Sequence, residues 1–575
     1  MRIGDLIHGL DVRIVGDPAA VGGLAGLRIC DITEDSRTVL PGSLFIARQG
    51  EKVDGKQFVP GAIAAGAVAV LTDDPTFVLP ARPHAERGGT EVALLTAPDI
   101  ELAAAGLAER FYGDPSSKMT VIGVTGTNGK TTTTFLIHQI LNAMNIRCGL
   151  IGTVVIDDGV EVAPASLTTP PALEISRTFA RMYEAGCTAA VMEVSSHALD
   201  QRRVGAIKFN AGVFTNLTGD HLDYHGNMEE YAAAKARLFT MLPTDGVAVV
   251  NIQDPAHSGM VKGSKARLVR CAVDAPAGLA ITGGTAPETV CRARVVGADT
   301  SGTEVEFTGP WGHRRSRVPL VGAFNVMNAL EAVATVHALF GGTDEDALSF
   351  EIIAGALERA SAPPGRLEPV TTDTSPIQVF VDYAHTDDAL RTVLTVLRQA
   401  MGKETSPGVG TSAIGVGPRT SSARQLWCVF GCGGDRDRTK RPRMGRVAAE
   451  LADRVVVTSD NPRTEDPAAI TTEILAGTKA VSDGKEASGH EGRHGDQTSR
   501  HPVVEPDREA AIRLAIREAQ PGDTVIIAGK GHEDYQILPD GKGGTLKRHF
   551  DDREVARSVL RERGIAVRDS GAART

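Results

Sequence analysis

Aromatic side chains are scarce in this chain of 575 residues: they make up 4% of it, with 2 Trp and 6 Tyr. Its cores must therefore rest on Val, Leu, Ile and Ala. Cysteine is sparse as well. The 7 Cys, an odd number scattered along a long chain, argue against a disulfide framework and for a reducing compartment, the cytoplasm. Cys428 and Cys432 are close, but no second Cys/His pair stands at zinc spacing, so they read as small buried residues near a strand end. Basic excess is also missing. A formal net charge of -10 lacks the broad footprint of a nucleic-acid binder, while leaving room for a local basic pocket. With no apolar run of about 18 residues, no membrane span is expected. The opening stretch MRIGDLIHGLDVRIVGD carries early acids rather than a secretory signal. No repeat of fixed period recurs.

What the chain does have is an alternation of short apolar runs with longer helical patterns, which predicts parallel α/β architecture in three or four domains. A first region, 1–117, holds strand candidates at 42–47, 67–74 and 91–97 and a helix ending near Tyr112. The segment 113–118, GDPSSK, reads as a turn-rich linker. A second region, 118–345, holds strand candidates at 119–126, 148–156, 189–196, 211–218 and 246–251, with a helix at 133–144. A third, 346–575, holds strand candidates at 377–385, 426–434, 454–463 and 523–531. Each of these last starts apolar and ends in Gly, Asp, His or Arg. Ligands of open α/β sheets gather at the carboxyl ends of strands, so chemistry is expected there. Two stretches, 402–425 and 478–502, are rich in Gly, Ser and charge and read as flexible insertions.

The run Thr125-Gly126-Thr127-Asn128-Gly129-Lys130-Thr131-Thr132 follows the strand VIGV and precedes a helical pattern. Glycines let backbone N–H groups approach phosphates, and the following helix offers free amides and a positive dipole end. Lys130 can reach the β- and γ-phosphates, and the Thr131 hydroxyl can ligate Mg²⁺. The strict motif would place a glycine where Val124 stands, so the pattern fails as a string while its physical parts are present. The loop does not by itself distinguish ATP from GTP. Glu193 ends the strand of AAVMEVSS and is a candidate second Mg²⁺ contact. The turn NLTGDHLDYHG packs Asp220, His221, Asp223 and His225 together, a pattern more often a hydrogen-bonded loop than a metal site. Lys235, on a helical stretch, would ordinarily be a solvated surface lysine.

The segments TGTNGKTTT, MEVSSHALDQRRV, NLTGDHLDYHG with YAAAKARLF, GAFNVMNAL, PGRLE, VDYAHT, GCGGDRDRTKRP, SDNPRTEDP and AGKGHEDYQ occur in this order. Together, over nearly the whole chain, they resemble the Mur ligase family, and within it the MurE type. The resemblance implies three α/β domains: an N-terminal uridine-nucleotide domain, a central P-loop ATPase domain with a mostly parallel sheet, and a Rossmann-like C-terminal domain. It implies a cytoplasmic monomer that takes ATP, Mg²⁺ and UDP-N-acetylmuramoyl-L-alanyl-D-glutamate. ATP phosphorylates the γ-carboxylate of the D-Glu, and the amine of an incoming amino acid attacks the acyl phosphate. By the same resemblance Thr131 and Glu193 hold one Mg²⁺, while His221 and a carbamylated Lys235 (N6-carboxylysine) hold or support a second. Lys130 is catalytic with them. Gly126, Thr127, Asn128, Gly129, Thr132, Asn328, Arg366 and Asp382 match nucleotide-contacting positions. Thr168, Thr169, Ser195, Gln201 and Arg203 match contacts to the muramoyl dipeptide. Ser36 and the stretch Glu51-Lys52-Val53 match the uridine side, although that stretch departs from the family's usual residues.

Asp460-Asn461-Pro462-Arg463 resembles the form that adds diaminopimelate. A guanidinium can grip the second carboxylate of that amino acid bidentately, whereas lysine offers only an ammonium there, which Arg463 would repel. Arg436, Gly529 and Glu533 complete the matching set, with Glu533 suited to the ammonium. Alternatives are the same reaction with L-lysine, another ligase of the superfamily such as a folylpolyglutamate synthase, and, from another class, a P-loop ATPase switch that hydrolyses ATP without a peptide product.

Overall fold

The computed structural model describes residues 1–16, 18–50, 53–80, 92–273, 289–341, 349–402, 424–487 and 501–568, the side chains of 18–21 and 480–487 excepted. The chain forms two compact units. One comprises Met1–Ala272, Ala277–Cys291 and Leu330–Ala356, the other Val273–Pro276, Arg292–Ala329 and Leu357–Thr575.

The first unit contains two sheets. In the first of them Asp31–Thr33, Ser43–Ile46, Ala69–Thr72 and Ala93–Thr96 run parallel, and Arg13–Val15 closes the edge antiparallel. Its core of Ile3, Leu6, Ile32, Leu44, Leu71, Leu95 and Leu107 is aliphatic, as the shortage of aromatics requires. Asp99 caps the helix Ile100–Phe111 by accepting from the Leu102 N–H, satisfying one of the free amides of the first turn. Its last turn carries Glu109, a buried carboxylate that accepts from Ser116 Oγ at 2.5 Å and Ser176 Oγ at 2.8 Å. The segment expected to be a linker at 113–118 is consequently a docked turn with Ser116 buried. Composition alone marks such a stretch as loose, and a single carboxylate in the preceding helix ties it down.

The second sheet carries the phosphate loop. Arg267–Val273, Val247–Asn251, Ala211–Phe214, Thr120–Thr125, Ala189–Glu193 and Cys148–Ile151 lie side by side, all parallel. The expected single strand 148–156 is broken. Cys148–Ile151 ends, the chain reverses at Gly152, and Val155–Asp157 returns antiparallel. A Cβ on Gly152 would lie 2.7 Å from Glu193 Oε1, so a glycine is required where the reversal crosses the carboxylate.

In the second unit Gln378–Asp382, Thr524–Ala528, Leu426–Phe430 and Arg454–Val457 form a parallel sheet, with short edge strands Glu368–Pro369 and Val503–Val504. Side chains alternate across it. Phe380, Cys428, Phe430 and Ile526 pack with helix residues Leu390, Leu394 and Met444 on one face. Val379, Val381, Trp427, Val429, Val525 and Ile527 pack with Ile512 and Leu560 on the other. Both faces are buried, so the strands read as continuous apolar runs. Each such side chain contributes about 1.5–3 kcal/mol. Among the elements not anticipated are strand Arg267–Val273, an antiparallel meander Thr289–Asp299, Gly302–Gly309, Gly312–Val318, and a hairpin Tyr535–Pro539 with Thr545–His549.

The stretch expected to be loose from 478 instead begins as helix, since Pro467–Ala487 runs through it. Most of its remainder, and most of 402–425, lie outside the described residues. One described helix, Ala323–Phe340, does reach the length and apolarity of a membrane span, but 67% of it is buried in the protein, as a core helix would be.

Candidate active site

The phosphate loop sits between strand Thr120–Thr125 and helix Lys130–Ala143. Gly126 (φ 151°) has no room for a side chain: a Cβ there would meet Thr215 Oγ1 at 1.9 Å. Gly129 (φ 86°) is the left-handed residue that turns the loop into the helix. The loop is braced from behind. The Thr127 N–H donates to Asn216 O, the Asn128 N–H to Asn216 Oδ1, and Thr215 Oγ1 to Asn128 O. Lys130 Nζ lies 2.9 Å from the carbonyls of both Gly126 and Thr127, curled over the loop it would serve. Thr132 is buried in the first turn.

Glu193, at the end of its strand and 0% exposed, is the hub of this unit. Its Oε2 accepts from Thr131 Oγ1 at 3.1 Å and Thr153 Oγ1 at 2.9 Å, and its Oε1 accepts from the Thr153 N–H at 2.7 Å. The hairpin reversal at Gly152 is what brings Thr153 there. Thr153 Oγ1 reaches Thr168 Oγ1, and Thr169 Oγ1 donates to Glu193 O while touching Ser195 Oγ at 3.2 Å. Arg203 donates to Thr169 O and, through Nε and Nη2, to Gln201 Oε1. The residues matched to the muramoyl dipeptide thus form one network with Glu193. Gln201 and Arg203 also line a cleft of about 780 Å³, together with Glu34, Arg48, Phe58 and Asp99. Arg48 is held by Glu34 at 2.6 Å. Ser36 is not among the lining residues, although Glu34 is; Glu51 and Lys52 lie outside the described residues.

Lys235 is not the surface lysine its helix suggested. Asn227 caps that helix, Met228–Thr240, whose inner face carries Tyr231, Ala234, Lys235 and Leu238. Lys235 is 1% exposed. Its Nζ donates to Gly126 O at 2.8 Å and sits 4.6 Å from the Tyr231 ring centroid. Burial, and then the charge of Lys130, pull its ammonium well below the usual lysine range. The Tyr231 hydroxyl, pushed up to about 12 by burial, pairs with Thr127 Oγ1 at 3.1 Å. His221 adopts φ 53° and remains half-exposed, with its ring 4.8 Å from His197 and 6.3 Å from Tyr231. Tyr231 therefore stands beside both His221 and Lys235. Among the described residues no group of three or more His, Cys, Asp or Glu forms a metal cluster. The oxygens of Thr131 and Glu193 are nonetheless a donor set suited to a hard cation.

In the second unit Asp382 ends its strand and accepts from the Leu367 N–H at 2.6 Å and the Ala384 N–H at 2.7 Å. Burial raises its carboxyl, and the Arg366 charge opposes that. The Arg366 guanidinium lies over the Tyr383 ring at 4.6 Å, and His532 stacks near the same ring at 5.3 Å. Asn328 is buried and donates to Asn325 Oδ1.

The DNPR segment follows strand Arg454–Val457. Arg463 has φ 55°; its N–H donates to Ile537 O and its Nη1 to Gly434 O at 2.6 Å. Gly433 separates it from Arg436, which is exposed. Pro462 is buried against Gly434. Asn461 spends its side chain internally: Nδ2 donates to Glu533 Oε2 at 2.9 Å, and Oδ1 accepts from the Ile537 N–H at 2.9 Å and from Lys530. Gly529 (φ 117°) passes so close to Asp460 that a Cβ would stand 3.1 Å from Oδ2. Buried Arg441 anchors the opposite wall, bonding Glu465, Glu473 and Gly433 O, and its contact pulls the Glu465 carboxyl down to about 2.

Thr153, Tyr231, Lys530 and Arg441 escaped the sequence reading. Tyr231 precedes Lys235 by one helical turn, a spacing that marks a shared face; nothing local distinguishes Thr153.

The Mur ligase middle domain family matches residues 124–336, the Mur ligase glutamate ligase domain 412–531, and the Mur ligase family catalytic domain 28–112. A UDP-N-acetylmuramoyl-L-alanyl-D-glutamate--2,6-diaminopimelate ligase of Synechococcus elongatus is 44% identical over 94% of this chain and 95% of its own. One of the same name from Gloeobacter violaceus is 42% identical over 98% and 99%. A solved structure of a ligase so named superposes with a TM-score of 0.61 at 29% identity, covering 98% of this chain and 99% of that one. With its phosphate loop, its α/β sheets and relatives of this identity along almost its whole length, the chain belongs to the Mur ligase family.

Proposed function

We propose that this chain is an ATP-dependent ligase that adds diaminopimelate to the D-glutamate of UDP-N-acetylmuramoyl-L-alanyl-D-glutamate in peptidoglycan synthesis. The observation that carries the reading is the gathering around Tyr535 of the charges of Arg463, Asp460 and Glu533, with Arg463 Nη1 on Gly434 O and both acids on Lys530, in a chain that also holds the Glu193-centred phosphate loop. A guanidinium and carboxylates at one pocket end suit an amino acid whose far end bears both a carboxylate and an ammonium.

A carboxylate resists attack by an amine because its leaving group would be oxide; phosphorylation supplies a better one. Lys130 turns from its loop carbonyls to the γ-phosphate, offsetting the repulsion between ATP and the substrate carboxylate. Glu193 and Thr131 would hold Mg²⁺, whose charge supplies further neutralisation. Arg203, Gln201, Ser195 and Thr169 orient the dipeptide. Lys235, with its ammonium disfavoured by burial, is suited to react as the free amine with CO₂, forming a carbamate and releasing one proton, and so presents an anionic oxygen near Gly126. Asn328, Arg366 and Asp382 serve the nucleotide, Ser36 the uridine side, and Arg436 and Gly529 the amino acid. An ATP-consuming chain whose cysteines are all thiols is suited to the cytoplasm, and we take it to act as a monomer.

The test is to incubate the protein with ATP, Mg²⁺ and the UDP-muramoyl dipeptide plus either diaminopimelate or L-lysine, and to weigh the product. A mass increase with diaminopimelate is expected. A product with lysine alone, or ADP release without any product, refutes the reading.

A further inference from the structure

Lys530, in the turn after strand Thr524–Ala528, is a cation with no access to solvent, its side chain 0% exposed. Its Nζ lies 3.1 Å from Glu533 Oε2, 3.3 Å from Asn461 Oδ1 and 3.9 Å from Asp460 Oδ1, with the Tyr535 ring at 5.4 Å. Two acids therefore share one ammonium. Buried Arg508 lies beneath the same strand end, but Asp552 matches it at 2.7 Å, so it does not alter that count. Glu533 is pinned from two sides, by Lys530 and by Asn461 Nδ2. Asp460 is 7% exposed, and its Oδ1 has no hydrogen-bond partner. At 3.9 Å Lys530 is too far to supply one. A buried acceptor left unpaired is costly, and an ammonium entering the pocket would satisfy it.

We propose that Lys530 is a specificity-determining positioning residue, which fixes Glu533, offsets one of the two acid charges and leaves a single negative charge for the incoming amino acid's distal ammonium. This rests on the ligase reading above and adds the device by which the pocket counts charge. With Lys530 in place, two acids and one base take one ammonium, and Arg463 is left to take the adjoining carboxylate. Without it, the two acids stand uncompensated, and the pocket favours an end that is purely cationic, as in lysine, over one that is zwitterionic.

The experiment measures kcat and KM for diaminopimelate and for L-lysine in wild type and in Lys530→Met. The ratio of kcat/KM for diaminopimelate over lysine is expected to fall about 10- to 100-fold, through KM for diaminopimelate, with KM for ATP unmoved. A purely structural lysine would lower kcat through the active fraction and leave that ratio alone, which overturns the proposal. If Lys530→Met does not fold, the charge-balanced K530M/E533Q pair serves. It restores a single negative charge, so its ratio is expected to lie on the lysine side of that in Glu533→Gln; equal ratios in these two overturn the proposal. Failure of the wild type to extend the precursor with either amino acid sinks the function itself, whereas wild-type turnover with an unmoved ratio in the variants sinks Lys530's role alone.

Discussion

Gly434→Ala should break the amino-acid pocket while sparing the phosphate site. A Cβ on Gly434 would stand 1.9 Å from Pro462 O, 2.8 Å from Pro462 C and 3.2 Å from Glu465 Cβ. The first two are backbone atoms, which cannot rotate aside as a side chain could. The loop and the DNPR segment must part by about 1 Å or more to restore ordinary contact. That seam carries the Gly434 N–H to Asn461 O bond at 2.9 Å and the Arg463 Nη1 to Gly434 O bond at 2.6 Å. Overpacking costs about 1–3 kcal/mol, and a hydrogen bond from a charged group about 1.5–3 kcal/mol. Some of the strain relaxes, so a net loss of about 2–3 kcal/mol in diaminopimelate binding is expected, a rise in KM of about 30- to 150-fold. Steady-state kinetics at saturating ATP and precursor measure it, alongside Gly402→Ala, where an added Cβ meets no atom within 4 Å. A wild-type KM for diaminopimelate in Gly434→Ala would refute the assignment of this seam to the pocket. An equal rise in KM for ATP would show that the damage is general.

His532 is pushed down to about 4 by burial first, then by the charges of Arg366 and Arg553. Its neutral ring contributes stability fully present above the unfolded value of about 6.5 and lost as pH falls toward about 4, up to about 3 kcal/mol; urea midpoints of the wild type should drop across that window and those of His532→Gln should drop less. Glu331 is fully buried, and burial, opposed only by the Thr133 hydroxyl, raises its carboxyl well above the usual range. A raised carboxyl contributes stability below its unfolded value that is lost as pH rises, so Glu331→Gln should stabilise the protein more at pH 8 than at pH 5; a thermal melt showing the opposite trend would refute this. Lys235→Ala should lower turnover about 100-fold or more, and stripping CO₂ and bicarbonate from the buffer should slow the wild type but leave the residual rate of the variant unchanged.

Most strands of the two sheets that carry Glu193 and Asp382 were legible because a strand buried on two faces writes itself as an apolar run, with a polar residue, Glu193, Asp382 or Asp460, standing where the run stops; Arg267–Val273 was missed, because Arg267 and Arg270 interrupt its run. The hairpin Tyr535–Pro539 with Thr545–His549 was not legible. Its outer strand TLKRH is exposed along its whole length, so no alternation betrays it, yet Ile537 and Gln536 on the inner strand hold Asn461 and Asp460 in place. Lys235 shows the same limit from the other side. Its helix displays an apolar face, but a lysine on that face reads as solvated until the element that covers it is known. That element is the phosphate loop, 109 residues earlier in the chain. The Thr153 contact to Glu193 spans 40 residues, and that of Asn461 to Glu533 spans 72. Motifs locate the candidate site groups, because those stand where strands end. The residues that set the charge and orientation of those groups are assigned by folding across such separations, and they become visible only when burial is compared with the number of partners each polar atom has.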